Sequence, residues 1–152
     1  CKPTTLDPEG MNLIGHLLFD MLEDLDVTAA GGLTLGADPM ANALSVISFQ
    51  RGRPVKSFIV RKETKDHGTK SRIEGTVRAG ERVVILDDVI TTGGSTLTAI
   101  EAARAAGLNV MRVIALIDRE EGGRENIEKE IGDVRAVLTR TEVMACYSGK
   151  TG

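Results

Sequence analysis

The stretch that most constrains the fold is ERVVILDD (81–88), near the middle of the 152-residue chain. Its four consecutive apolar residues, VVIL, are typical of a central parallel strand that is covered on both faces. Two adjacent acids close the run, and a turn rich in glycine and hydroxyl groups, TTGGST (91–96), follows them. The pattern therefore predicts a buried strand, a tight turn and a helix that starts after Gly93 and Gly94.

Strand and helix signals alternate along the rest of the chain. Asp-Pro pairs predict helix starts at Asp7 and Asp38, because the Asp side chain accepts orphan amides and Pro suits the first turn. The second of these helices should reach about Ser48, and a polar helix is expected over residues 121–130. Further strands are expected at residues 27–30, which end at Gly31 and Gly32, and at 56–60, 110–117 and 134–138. This alternation implies an α/β domain with a parallel sheet and right-handed crossovers.

Composition and charge narrow the function classes. Hydrophobic residues make up 41% of the chain, enough for one core, and no linker is evident, so we expect one domain over residues 1–152. No stretch approaches the roughly 18 to 20 apolar residues of a membrane span. The net charge of −3 argues against a nucleic-acid-binding protein. Cys1 and Cys146 form no disulfide framework or metal pair, so a reducing cytoplasm fits best.

Basic residues are concentrated in one segment. Residues 51–82 contain ten Lys or Arg and four acids, whereas residues 1–50 contain one Lys and seven acids. Such a block indicates either a polyanionic small ligand or a charged, solvated loop, and charge alone favours the loop. Residues 62–75 carry one large aliphatic side chain, Ile73, so this part is predicted to be a mobile loop.

The acid pair and the turn after it suggest a site for a sugar phosphate. Ligands bind open parallel sheets beyond the carboxyl ends of the strands, where Asp87 and Asp88 are expected. The amides and hydroxyls of residues 91–96, with a helix N-terminus, can hold a phosphate, whereas the two carboxylates suit hydroxyls or a hydrated Mg²⁺. The alternative is a tight turn with solvent-facing acids. Neither a Walker A loop nor a GxGxxG dinucleotide fingerprint is present.

The sequence LDDVITTGGS (86–95) resembles the signature with which type I phosphoribosyltransferases bind phosphoribosyl pyrophosphate (PRPP). The resemblance implies their fold, a Rossmann-like central parallel sheet flanked by helices. It also implies that Asp87 and Asp88 bind the ribose hydroxyls and that Asp87 takes part in catalysis. The residues implied to wrap the 5′-phosphate are Val89, Ile90, Thr91, Thr92, Gly93, Gly94 and Ser95.

Further segments are similar to those of orotate phosphoribosyltransferases. RKETKDHGTKSRIEG (61–75) resembles their catalytic loop, which reaches into a neighbouring subunit's site. GGLTLGADP (31–39) resembles their pyrophosphate loop, although other members have aromatic-Lys-Gly where this chain has Thr34-Leu35-Gly36. The loop residues implied to contact the pyrophosphate are Arg61, Lys62, Lys65 and His67, of which Lys65 and His67 would be catalytic.

The segment IDREEGGRE (117–125) resembles the family segment in which an arginine contacts orotate. That residue is Arg119 here, and Thr91 matches another position that touches orotate. The resemblance thus implies transfer of ribose 5-phosphate from PRPP to orotate, which gives orotidine 5′-monophosphate and pyrophosphate in pyrimidine biosynthesis. It implies Mg²⁺ as the cofactor, bound mainly through PRPP and water near Asp87 and Asp88. It also implies a homodimer with a shared catalytic loop, and no nucleic acid or membrane partner.

Two expectations accompany this resemblance. The family has some tens of residues before the LDPEG segment (6–10), including a helical hood with base and PRPP contacts, and we expect that portion to be missing here. The alternatives are a phosphoribosyltransferase for another base, such as a purine or uracil, and a PRPP-binding regulator without turnover. A dinucleotide-binding module is less favoured because its glycine fingerprint is absent.

Overall fold

A computed structural model describes residues 2–63 and 72–149 of the chain. Strands and helices alternate through most of it. The strands are β1 (Ala29–Leu33), β2 (Lys56–Val60), β3 (Ile73–Gly75), β4 (Arg82–Ile90), β5 (Asn109–Asp118) and β6 (Val134–Thr139). The helices are α1 (Lys2–Thr5), α2 (Pro8–Asp20), α3 (Asp38–Gln50), α4 (Gly94–Ala105), α5 (Gly123–Glu128) and α6 (Arg140–Ser148).

The six strands form one sheet in the order β3-β2-β1-β4-β5-β6. All neighbouring strands are parallel except β3, which runs antiparallel to β2. From β1 the chain proceeds to β2 on one side, and it later returns to β4 on the other side of β1. The order therefore reverses between β1 and β4, and crevices for ligands form at such switch points of open α/β sheets.

Hydrophobic layers cover both faces of the sheet. On one face, α2 and α3 pack against alternate residues of β4, Val84 and Leu86. On the other face, α4 and α5 pack against Val83 and Ile85 of the same strand. Burial on both faces explains why the apolar run of β4 is continuous rather than alternating. The α/β fold with a central, mostly parallel sheet is as predicted.

Several element boundaries differ from the prediction. Strand β1 does not end at Gly31 and Gly32 but includes both, because it is paired on both sides. Strand β3 lies inside the predicted loop, as a three-residue edge strand. Strand β4 continues past the two acids to Ile90. Neither α1 nor α6 was predicted. Strand β2 has the predicted limits.

None of the helices in residues 2–63 and 72–149 has the length and apolar character of a membrane span.

Side-chain caps fix two helix starts. The Asp7 carboxylate accepts hydrogen bonds from the amides of Glu9 and Gly10 at 3.0 and 3.1 Å, as the Asp-Pro signal predicts. Helix α6 begins with a capping box, in which Thr139 and Glu142 bond reciprocally. Although α6 contains no buried residue, its first turn is therefore well defined.

A buried arginine joins three parts of the chain near the amino-terminal ends of β5 and β6, at the side of the sheet opposite to the carboxyl ends of the strands. The side chain of Arg112, in β5, is 1% exposed. Its guanidinium donates to both carboxylate oxygens of Asp24 at 2.8 Å, to Asp133 and to the carbonyl oxygen of Met21. Arg135 also pairs with both acids. The burial of a charge requires such pairing, and here it ties the segment after α2 to β5 and the turn before β6.

We expect Arg112→Met to lower the free energy of unfolding by about 3 kcal/mol, because two acids and a carbonyl lose their shared partner. Urea unfolding at neutral pH measures this change. The control is Arg104→Met, which removes an exposed ion pair with Glu130 and should cost less than about 1 kcal/mol. Equal losses in the two variants would contradict the structural role of Arg112.

Candidate active site

The candidate site lies where β1 and β4 separate at their carboxyl ends. The loop after β1 (34–37) crosses this gap, and its Gly36 lies against the carboxylate of Asp88. A Cβ atom on Gly36 would be 2.5 Å from Asp88 Oδ1, so a larger residue would force the acid to move. A cavity of about 320 Å³ opens beside this contact and is lined by Thr5, Leu6, Leu35, Gly36, Asp38, Pro39 and Asp88.

The two acids of β4 point to opposite faces of the sheet, as the two-residue period of a strand requires. Asp87 is 8% exposed, and its Oδ2 accepts a hydrogen bond from the hydroxyl of Thr96 in α4 at 2.6 Å. Asp88 is half-buried and lines the cavity on the α3 side. The pair therefore presents carboxylates to both sides of one strand end.

The environment of Asp87 opposes its ionisation. Burial raises the pKa of the Asp87 carboxyl above its ordinary value, and the nearby charge of Asp88 acts in the same direction. The hydrogen bond from Thr96 favours the carboxylate and partly offsets the effect on the pKa. A buried carboxylate with one hydrogen bond lowers the stability of the folded state. It can also accept a further hydrogen bond from a donor group on a ligand.

The turn after β4 has unused hydrogen-bond donors. Gly93 has a left-handed backbone, with φ of 89°, and precedes the first residue of α4. Within the described part of the chain, the N–H groups of residues 92–96 donate to no protein acceptor. These amides and the start of a 12-residue helix can together hold an anion. Thr92, Gly94 and Ser95 are exposed there.

The segment after β5 (119–126) is fastened to this turn. The amide of Arg119 donates to the carbonyl oxygen of Ile90 at 3.0 Å, and the side chain of Asn126 donates to the carbonyl oxygen of Thr92 at 3.2 Å. Gly123 packs against the turn so closely that a Cβ atom there would meet the Thr91 carbonyl oxygen and lie 2.7 Å from the Gly93 nitrogen. The turn and the segment therefore form one unit.

Arg119 places its guanidinium at the surface beside this unit. Its side chain is 51% exposed and pairs with Glu121 at 2.8 Å. Thr91 is half-buried at the start of the turn. Both residues lie at the carboxyl ends of adjacent strands, β5 and β4, as the motif positions predict. The backbone hydrogen bond between Arg119 and Ile90 fixes their relative position.

The start of the basic segment lies at the carboxyl end of β2, next to the carboxyl end of β1 and therefore on the same side of the sheet as the acids and the turn. The amide of Thr34 donates to the carbonyl oxygen of Val60 at 2.9 Å, and the peptide bond between Thr34 and Leu35 is cis. Arg61 follows β2 directly, pairs with Glu74 at 3.1 Å, and is linked through its backbone to Arg72. Lys62 is exposed next to it. Lys65 and His67 lie outside the described residues.

The structure separates the residues that the sequence grouped in the phosphate turn. Ile90 is buried in the core, so its side chain is not at the site, and its carbonyl oxygen is used by Arg119. Val89 is the preceding residue of β4. Two contacts were not predicted: the hydrogen bond from Thr96, a residue of the predicted turn, to Asp87, and the support that Gly123 gives to the turn. In the sequence, the hydroxyl residue directly after GGS (93–95) is the signal for Thr96, and the glycine pair at 122–123 is the signal for Gly123.

The carboxylates of Asp38 and Asp88 line the crevice and are the groups there that could contact a metal ion. The described residues contain no group of three or more His, Cys, Asp or Glu side chains that could hold a metal ion. One carboxylate oxygen, Oδ1 of Asp38, is buried without a hydrogen-bond partner in the described structure, while its Oδ2 accepts from Thr34. Carboxylates next to a phosphate site fit Mg²⁺, which retains water and binds through substrate phosphates.

Comparison with known proteins identifies the family. Residues 28–138 match the family described as Phosphoribosyl transferase domain. An orotate phosphoribosyltransferase of Aquifex aeolicus is 54% identical over 129 residues, which are 85% of this chain and 70% of that protein. The chain belongs to the orotate phosphoribosyltransferase family. It therefore shares its core with this family across the described site, from β1 to β6.

Solved structures of the orotate phosphoribosyltransferase family have the same architecture. The Mycobacterium tuberculosis enzyme in complex with Fe(III) dicitrate superposes with a TM-score of 0.83 at 41% identity, over 91% of this chain and 78% of that one. The same enzyme in complex with PRPP gives a TM-score of 0.81 at 38% identity, over 93% of this chain and 80% of that one. The sequence resemblance to this family is confirmed.

We expect Asp87→Asn to stabilise the protein at pH 8, because it removes a carboxylate whose pKa is raised by burial. A raised pKa means that ionisation favours the unfolded chain, so the gain should be full above the folded-state pKa. It should vanish below the ordinary value of 3.8, where both states are protonated. Thermal unfolding from pH 8 to 3.5 measures this dependence.

The matched control is Asp26→Asn, since the Asp26 side chain is 91% exposed. It should change the melting temperature little across the same pH range. A loss of stability in Asp87→Asn at pH 8 would contradict the account of Asp87.

Proposed function

We propose that this protein transfers ribose 5-phosphate from PRPP to orotate and releases pyrophosphate, as its relatives' name indicates. The observation that carries the proposal is the order of groups along one edge of the sheet. Cationic Arg61 and Lys62 follow β2, and the loop at Gly36 follows β1. The two acids lie near the end of β4, the turn follows that strand, and Arg119 follows β5. This order matches that of pyrophosphate, ribose phosphate and a carboxylate-bearing base in the reacting pair.

The end of β4 supports ribose phosphate binding. The unused amides of residues 92–96 suit the 5′-phosphate, together with the hydroxyls of Thr91, Thr92 and Ser95. Asp87 and Asp88 suit the ribose hydroxyls, which donate hydrogen bonds that a phosphate cannot. For the buried Asp87, such a donor would offset part of the cost of desolvation. We propose that Asp87 also steadies positive charge as it develops on the sugar.

Charge separation is the physical difficulty of the reaction. As the bond between C1 and pyrophosphate breaks, the leaving group gains negative charge and the sugar becomes oxocarbenium-like. Cations fixed on the pyrophosphate side stabilise this state, and we assign that role to Arg61, Lys62, Lys65 and His67. Lys65 and His67 would act directly on the departing oxygens, His67 as a donor of a hydrogen bond or proton. In this proposal the catalytic loop (61–75) also covers the site and excludes water, which would otherwise hydrolyse PRPP.

We propose Mg²⁺ as the cofactor, bound through PRPP phosphates and water beside Asp87 and Asp88. When bound, it would neutralise part of the charge on the leaving pyrophosphate. The carboxylates would reach it through water or directly, and Oδ1 of Asp38 is a further oxygen at the same crevice.

We assign recognition of the base to Arg119 and Thr91. A guanidinium pairs with a carboxylate through two parallel hydrogen bonds, a geometry that Lys cannot reproduce. Orotate carries such a carboxylate, whereas uracil and the purines do not. Arg119 is exposed on a segment fixed to the turn, so it can exchange Glu121 for a ligand. The release of a half-exposed ion pair costs little.

The proposed activity is tested by following orotate absorbance in the presence of PRPP and Mg²⁺. Consumption of orotate, but not of uracil or adenine, is expected. Arg119→Ala should raise the orotate KM about ten- to a hundredfold, because charged hydrogen bonds contribute about 1.5 to 3 kcal/mol, and it should leave the PRPP KM nearly unchanged.

Arg124→Ala is the matched control, since Arg124 lies on the same segment, pairs with Glu128 and is comparably exposed. Equal changes in both Michaelis constants of Arg119→Ala would contradict the assignment of Arg119. Turnover of uracil in place of orotate would contradict the proposed activity itself.

We propose that the active form is a homodimer in which each subunit's loop (61–75) completes the other's site. An apolar surface on α3 supports association with a second copy. Val46 and Phe49 are 57% and 74% exposed, and each lines a shallow groove, towards α2 and towards Pro54 respectively. Exposed apolar surface of this kind is typical of interfaces.

Mixing two variants that are each impaired at subsaturating orotate tests loop sharing. Lys65→Ala should depress kcat strongly, while Arg119→Ala raises the orotate KM. If the loop acts across the dimer, each mixed dimer contains one intact site, so co-refolding equal amounts should restore up to about one quarter of the activity at subsaturating orotate. Sedimentation establishes that mixed dimers form. Dimers without recovered activity would contradict loop sharing.

We propose that residues 1–152 form a single phosphoribosyltransferase domain, since both faces of one sheet are covered by the helices of this chain. We also propose a cytoplasmic location. The exposed, unpaired thiol of Cys146 supports a reducing compartment.

A further inference from the structure

Glu120 has an unusual backbone conformation directly after Arg119. Its φ is 58°, and it is the only non-glycine residue with positive φ among residues 2–63 and 72–149. The left-handed conformation is strained for an L-amino acid. Residues held in such conformations cluster at functional sites, where surrounding contacts keep them in place. The contacts that hold Glu120 therefore bear on the function of the segment.

Three hydrogen bonds hold this residue. Its amide donates to Oδ1 of Asp118 at 2.8 Å, and Asp118, the last residue of β5, is buried. Its carboxylate oxygen Oε2 accepts from the amide of Thr141 at 2.8 Å and from the Thr141 hydroxyl at 2.7 Å. Both the backbone and the side chain of Glu120 are thus fixed, on either side of the turn.

The carboxylate is well matched to its place at the start of α6. The hydroxyl and then the amide of Thr141 lower the pKa of the Glu120 carboxyl, so it is ionised at neutral pH. A negative charge is favourable at a helix N-terminus. However, α6 already has its own capping box, from Thr139 and Glu142. The capping box uses the amides of Thr139 and Glu142, so Glu120 adds an acceptor for the remaining amide of Thr141 and ties the turn that contains Glu120 to α6.

The turn carries Arg119 between two anchors. On one side, the amide of Arg119 donates to Ile90 at the end of β4. On the other side, Glu120 ties the chain to α6. The Arg119 guanidinium itself is exposed and contacts Glu121. Its direction therefore depends on the backbone of the turn rather than on packing of its side chain.

We infer that Glu120 is a positioning residue for Arg119, which holds the turn against α6 so that the guanidinium meets the carboxylate of the pyrimidine. This inference rests on the proposed function, in which Arg119 binds that carboxylate. Two parallel hydrogen bonds require close angular alignment, and a small displacement of the backbone would lose one of them.

The test compares two nucleotides that differ in this carboxylate alone. The ratio of the Kd for uridine 5′-monophosphate to the Kd for orotidine 5′-monophosphate measures carboxylate recognition, and the sugar phosphate contribution cancels. Calorimetric titration gives both constants without turnover. Arg119→Ala should bring the ratio close to one, and Glu120→Ala should lower it about tenfold, as small misplacements do. The Kd for uridine 5′-monophosphate should stay within about twofold of the original.

Three variants separate positioning from backbone strain and from folding. Glu120→Gln retains an oxygen acceptor for Thr141 and should keep most of the ratio. Glu120→Gly relieves the left-handed strain but removes the tether, so it should lower the ratio as Glu120→Ala does. Thr141→Val removes only the hydroxyl bond and should lower the ratio about threefold, roughly the effect of one hydrogen bond. Thr141→Val replaces Glu120→Ala as the test of the tether if Glu120→Ala fails to fold.

A double-mutant cycle tests whether Glu120 acts through Arg119. In the Arg119→Ala background, Glu120→Ala should change the ratio no further. An unchanged ratio in folded Glu120→Ala and Thr141→Val, with a collapsed ratio in Arg119→Ala, would overturn this inference alone. Recovery of the ratio by Glu120→Gly would also overturn it. If Arg119→Ala keeps the ratio, the proposed role of Arg119 fails and this inference fails with it.

Discussion

The close approach of β1 and β4 is the constraint on which the rest of the site depends. The two strands are parallel neighbours, and the chain leaves them towards opposite sides of the sheet. A crevice therefore opens between their carboxyl ends as a direct result of the strand order. Glycine at position 32 lets β1 pass the carbonyl oxygen of Leu86, and Gly36 lets the next loop lie against Asp88. Side chains at these positions would close the crevice.

The end of β4 shows how one strand serves two purposes. Its first half is apolar on both faces and anchors the sheet, whereas Asp87 and Asp88 in its second half carry carboxylates to opposite faces. The burial of Asp87 works against stability, and the hydroxyl of Thr96 offsets only part of that cost. This is the pattern expected where a fold retains a group for binding rather than for its own stability.

Sequence patterns predicted the layers of the fold better than the boundaries of its elements. The four-residue apolar run identified β4, and Asp7 and Pro8 identified the start of α2, because these signals are local. Gly31 was misread as the end of β1, since glycine is poor in strands, although here it lies too near the Phe58 carbonyl oxygen for any Cβ. The Arg112 network was not predictable, because Asp24 and Asp133 are far from it in sequence.

At the site, the motif residues came from local patterns, but their partners depended on tertiary contacts. The bond from Thr96 to Asp87 and the support of the turn by Gly123 were not predicted for this reason. The contact between Gly93 and Gly123 has an evolutionary consequence. A Cβ atom on Gly93 would lie 2.9 Å from the Gly123 carbonyl oxygen, and one on Gly123 would meet the turn in return. Neither site can accept a larger residue by itself, so among homologues these two positions should be constrained jointly, although they are 30 positions apart in the sequence.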